Sequence, residues 1–222
     1  MIPRTSTIST ELIFHVRQFY NAALESIARS KVRREGINGS ADNALPAYIL
    51  SVAAVEAFLN EFFLSPMAMN DLKDRWPASL PIEWFEKMEL GRKLVVVPHL
   101  LFGQTFRRDQ QPYLDMHALI TLRNELTHFK MGFSVPKVMK HLEDRHIAFS
   151  GDDPWSDRLK TSEGIRWANN TACKTVHKLA GFSPDDWHHL MADGMAEDFL
   201  LIDESMARDF LSERGIDVDG KS

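Results

Sequence analysis

Apolar residues recur at spacings of three and four along most of the chain, the period of a helix with one buried face. Leu12, Val16, Phe19, Ala23 and Ile27 form such a stripe and predict a helix over 10–34, ended by Gly36 and Gly39. Residues 43–64 are apolar nearly all round (Tyr48, Ile49, Val52, Ala53, Val55, Ala57, Phe58, Phe62), which predicts the central helix of a bundle. Pro66 and Pro77 mark a loop over 66–80 with a short helical piece. Pro81 opens a helix over 81–97, with Trp84, Phe85 and Met88 facing inward. Pro98 and Gly103 predict irregular chain over 98–111. Leu119, Leu122, Leu126 and Phe129 define the next helix, over 112–129.

A short basic helix is expected over 136–145, a loop over 149–157, and a helix over 162–180 carrying Ile165, Ala168, Ala172, Val176 and Leu179 in register. Ser183 and Pro184, followed by two acids, have the chemistry of a helix start. Two acidic helices, over 184–192 and 196–213, are expected beyond it. Strand signals are weak. The expectation is an all-α bundle of about five main helices, made of a domain over 10–181 and an acidic helical extension over 182–222 packed on it.

Charge sharpens that division. Residues 1–184 hold 23 basic and 20 acidic side chains, and residues 185–222 hold 3 and 11, so a net +3 and a net −8 make up the overall −5. The extension carries an apolar stripe (Trp187, Met191, Met195, Phe199, Met206, Phe210), so it is expected to dock, either as a solubilising helical add-on or as an acidic segment that competes with phosphate for basic ground. Cys173 is the single cysteine, which excludes an internal disulfide and cysteine-based zinc sites. No uninterrupted apolar run reaches the ~18 residues of a membrane span, and the N-terminus lacks a signal-like apolar stretch. A cytoplasmic protein without a membrane partner is the default expectation. No metal-ligand spacing, P-loop or glycine-rich dinucleotide turn is present, so no metal and no cofactor is expected. His188 and His189 are neighbours on a helix and point apart.

The candidate chemistry lies at the end of the 112–129 helix. Arg123, Asn124, Thr127 and His128 stand off its apolar stripe, Asn124 sharing a face with His128 and Arg123 with Thr127. Given the chain's composition, an Arg five residues before a His is expected about 0.6 times by chance, and an Arg-Asn pair in that position only about 0.02 times. The pair therefore carries most of the signal. An imidazole suits proton transfer near neutrality, and a guanidinium fork suits phosphate. Upstream, Glu56 and Asn60 share one face of the most apolar helix. A carboxylate there needs a partner, and Arg123 is the candidate. Arg107, Arg108, Lys130, Lys137 and Lys140 surround the segment in sequence and are candidate contacts for nucleic-acid phosphates.

Arg123-Asn124-Glu125-Leu126-Thr127-His128 resembles the signature of the HEPN superfamily: an Arg, a polar residue, a short spacer and a His. Ala53–Glu61 is similar to the second helix of many of its members. The resemblance covers about 10–181. It implies a homodimer whose two motifs meet across a two-fold axis, giving a metal-independent endoribonuclease of the toxin or phage-defence kind. Arg123, Asn124 and His128 would be catalytic, with Glu56, Asn60 and Thr127 in support. A protein antitoxin is a possible partner. Members neutralised by nucleotidylation usually carry a Tyr two residues after the His. Lys130 stands there instead. The alternative is a catalytically silent helical module that binds RNA or serves as a scaffold.

Overall fold

The computed structural model describes residues 7–29, 41–63, 79, 81, 83–128, 135–182, 199–203, 205, 209 and 212–213. Among these the chain is all helical: α1 (Ile8–Arg29), α2 (Ala44–Phe63), α3 (Glu83–Lys87), α4 (Leu90–Phe102), α5 (Tyr113–Thr127), α6 (Lys137–Asp144), α7 (Trp155–Arg158) and α8 (Ser162–Ala180).

Helix α2 is the centre, packed against α1, α8 and α5. Its Ala47, Tyr48, Val52, Ala54, Val55, Phe58 and Leu59 are fully buried, as expected of a helix with little polar surface. The stretch Ala44–Glu61 is long and apolar enough to cross a membrane when mean hydropathy is the measure, but half of it is buried inside this bundle. Helix α1, packed against α2 and α8, buries Ile13, Val16, Tyr20, Ala23 and Leu24. Its first turn is held by the far end of α2: the Glu61 carboxylate accepts from Ser9 N (3.3 Å) and Ser9 Oγ (2.5 Å). A carboxylate at a helix N-terminus also meets the positive end of the dipole. The two helices are therefore antiparallel.

Three expectations need correction. Pro98 does not end its helix. It sits inside α4, buried together with Leu94, Val97 and Leu101. The ring removes one ladder hydrogen bond, but the apolar face around it stays in the core. Thr105 Oγ1 donates to Val95 O (2.8 Å), next to the carbonyl deprived of its donor. Gly103, at φ 66°, then closes the helix. Trp84 is 49% exposed rather than inward, because the short α3 is separated from α4 by a bend. Residues 199–203 are not helical. The amides of Asn169 and Asn170 take up their backbone groups: Asn169 Nδ2 donates to Leu200 O (3.0 Å), Asn170 Nδ2 to Ile202 O (2.9 Å), and Ile202 N to Asn170 Oδ1 (2.7 Å). Phe199 is wholly buried and meets the Phe58 ring edge to face at 5.7 Å. The expected helix over 184–192 lies outside the described residues.

A buried polar knot joins α2 to the start of α8. The Tyr48 hydroxyl donates to Leu159 O (2.9 Å), and Thr161, the α8 N-cap, accepts from Gly164 N (2.8 Å) and donates to Ile147 O (2.5 Å). Gly164 allows this closeness. A Cβ there would stand 1.8 Å from the Tyr48 hydroxyl oxygen.

Candidate functional site

Helix α5 positions the signature. Met116, Leu119 and Leu122 are buried and fix its rotation, so the residues between them face outward. Asn124, Glu125, Thr127 and His128 are exposed, and Arg123 is half-buried. The last turn is closed by the backbone: His128 N donates to Asn124 O (2.9 Å). Thr127 Oγ1 donates to Arg123 O (2.9 Å) and Asn124 O (3.4 Å), so this hydroxyl serves the helix end. It has no part in chemistry that the geometry shows.

Arg123 has an unusual setting. Its Nε is shielded from solvent and has no hydrogen-bond acceptor. Its guanidinium forms no ion pair among the described residues. The expected Glu56–Arg123 pair is not formed. Glu56 is half-buried on α2. Asn60 does not turn to the signature either: its Oδ1 accepts from Lys93 Nζ (3.1 Å), the buried lysine of α4. A shared face on α2 fixed the direction of Glu56 and Asn60 roughly, but not which neighbouring helix each would meet.

The basic residues divide. Arg107 and Arg108 are exposed in the turn before α5. The bonds Gln110 N to Arg107 O (3.1 Å) and Leu114 N to Gln110 O (3.2 Å) hold that turn at the N-terminal end of the helix. At ~1.5 Å per residue, a fifteen-residue helix separates it from His128 by about 22 Å. Arg107 is also paired with Asp109 at 3.1 Å. These two arginines therefore do not flank the signature in space. Helix α6 runs back along α5, because Arg145 at its end pairs with Asp115 in the first turn of α5. That course puts the exposed Lys137 toward the Arg123 end, with Lys140 between. Lys130 lies outside the described residues, as do His188 and His189.

Sequence reasoning missed a second polar cluster at the opposite end of α5. Asp115 takes both Arg145 guanidinium nitrogens, and His141 Nε2 stands 3.7 Å from Asp115 Oδ1. Arg166 is forked onto Glu163 through Nε and Nη2, both at 2.8 Å. The signal was the acid in the first turn of α5 opposite a basic α6, legible only once the antiparallel course is known. No group of three or more His, Cys, Asp or Glu side chains among the described residues is placed to hold a metal ion.

No family model, no curated protein and no solved structure matches the chain.

Proposed function

We propose that the protein is a metal-independent endoribonuclease of the HEPN type, acting as a homodimer with its site assembled from two copies of the α5 end. The reading rests on the signature and on one observation above all: Arg123, a half-buried guanidinium with a solvent-shielded Nε and no acceptor. A guanidinium N–H withdrawn from water without an acceptor is costly. A phosphate group would satisfy it with paired, charge-assisted bonds. One chain supplies one signature imidazole, and the reaction uses an acid and a base. Two copies supply both.

In the proposed reaction, one His128 takes the proton of the ribose 2′-hydroxyl as its oxygen attacks phosphorus. The bond from phosphorus to the 5′-oxygen breaks, and the second His128, protonated, gives its proton to that oxygen. The products are a 2′,3′-cyclic phosphate and a 5′-hydroxyl. Arg123 and Asn124 stabilise the charge that gathers on the phosphorane. Water restores the two imidazoles to their starting protonation states by exchanging one proton with each.

A second reading is favoured by a specific feature. The His128 ring is exposed, with no group among the described residues to orient it. Such a ring suits a module that binds RNA, or scaffolds, without cutting. The test is incubation with RNA in excess EDTA. Cleavage that disappears in Arg123→Ala and His128→Ala supports the enzyme. Binding without cleavage supports the silent module, and a strict need for added divalent metal overturns the mechanism. A solution mass of one chain at high concentration removes the composite site.

A further inference from the structure

Between the first turn of α5, the end of α6 and the middle of α8 lies an open cavity of about 350 Å³. Its wall includes Arg145, Arg166 and Lys174 and the carboxylates of Asp115 and Glu163. It lies at the end of α5 remote from the signature: Asp115 precedes Arg123 by eight residues, roughly 12 Å along the axis. The proposed ribonuclease reaction uses none of these groups, so the inference stands apart from that reading.

The charges are not equivalent. Arg145 and Arg166 are each forked onto a carboxylate. Lys174, exposed on α8, forms no ion pair among the described residues. The five groups sum to one excess positive charge. Trp167, also in the wall, is 6% exposed, and its indole N–H has no acceptor. A buried donor left open in this way requires an explanation.

We propose that this cavity receives a ribose phosphate group. The excess charge and the unpaired ammonium select an anion. The Asp115 carboxylate, already held by Arg145, retains lone pairs that suit the hydroxyls of a sugar. It is poorly suited to a second full cation such as the ammonium of an amino acid. The volume lies in the range of small-ligand sites and exceeds the needs of a bare phosphate. The same chemistry is offered by a free nucleotide and by one nucleotide of an RNA strand.

The experiment is isothermal titration calorimetry of the full chain carrying His128→Ala, so that no RNA is consumed. The probes are uridine 5′-monophosphate, ribose 5-phosphate, uridine, inorganic phosphate and hexauridylate. The expected result is binding of the two phosphorylated ribose compounds in preference to uridine and inorganic phosphate. Lys174→Glu should weaken it by about tenfold or more, the worth of one charged hydrogen bond, and Lys174→Arg should largely restore it. Lys174 is exposed, so the fold survives, as circular dichroism would verify. Hexauridylate binding more tightly than the monophosphate, with the same sensitivity to Lys174→Glu, assigns the site to an RNA strand. The reverse order assigns it to a free nucleotide. No binding by any phosphorylated ribose probe, equal binding of inorganic phosphate, or affinity indifferent to Lys174→Glu overturns the proposal.

Discussion

Replacing Gly164 by alanine tests the packing that holds the start of α8 against α2. The new Cβ would lie 1.8 Å from Tyr48 Oη, 2.9 Å from Tyr48 Cζ and 2.8 Å from Thr161 Oγ1. Tyr48 is wholly enclosed, so its ring cannot withdraw without dragging its neighbours, Trp167 among them at 6.4 Å. Overpacking of this kind costs about 1–3 kcal/mol. Losing the bond from the Tyr48 hydroxyl to Leu159 O leaves a buried carbonyl, for about 1–3 kcal/mol more. Alanine returns about 1 kcal/mol through its better helix propensity. The net expectation is a loss of about 1–5 kcal/mol, at its upper end a large share of a typical domain's stability. Urea unfolding followed by far-ultraviolet circular dichroism measures it. Tyr48→Phe removes the atom that clashes most, so Gly164→Ala should cost less in that background, a coupling that a double-mutant cycle reads directly. Equal cost in both backgrounds, or a Gly164→Ala protein as stable as the parent, would refute this account of the knot. Gly91, whose Cβ position is open, is the control: alanine there should be neutral or stabilising by up to ~1 kcal/mol.

Other outcomes follow from the same packing. Asn170→Ala removes both hydrogen bonds to Ile202 and should cost about 1–3 kcal/mol. It should also speed limited proteolysis around 199–203, and an unchanged cleavage rate would show that the amide does not hold this segment. Burial pushes the Cys173 thiol up from 9.0 to about 12, against a smaller opposing pull from the Arg17 charge. The unfolded thiol loses its proton first, so the contribution is intact below pH 9 and is lost as pH rises from there towards 12, with a limiting slope of about 1.4 kcal/mol per pH unit. Cys173→Ala should flatten this alkaline slope, as seen in unfolding curves from pH 8 upward. Burial raises the Tyr48 phenol as well, so some slope should remain.

The long periodic stretches were legible in the sequence because burial of a stripe dictates a helix almost by itself. α2, α5 and α8 fall within two residues of their expected bounds, and α1 starts two residues early and ends at Arg29. Pro98 misled because the apolar face of Leu94, Val97 and Leu101 outweighed one lost hydrogen bond. Residues 199–203 misled for another reason: their helical spacing was real, but two asparagines of α8 supplied the backbone partners that a helix would have supplied. At the candidate site, the outward positions of Asn124 and His128 could be read from the stripe. The unpaired state of Arg123 could not, because it depends on Glu56 facing elsewhere and on Lys93, from α4, taking Asn60. The docked Phe199 also bears on the acidic extension. Deleting 185–222 would strip a buried ring from the core, so neutralising exposed acids such as Asp209 and Glu213 is the cleaner probe of competition with RNA phosphate.

The central claim is that the α5 end cuts RNA by proton transfer through His128. It is tested most directly by the chemistry of the 3′ ends that the protein leaves on a defined RNA in excess EDTA, with parent and His128→Ala proteins compared at matched secondary structure. The account predicts 2′,3′-cyclic phosphate ends and 5′-hydroxyl partners from the parent, and no new ends from the variant. Fragments ending in a 3′-hydroxyl, or cyclic phosphate ends that His128→Ala produces equally well, would contradict it.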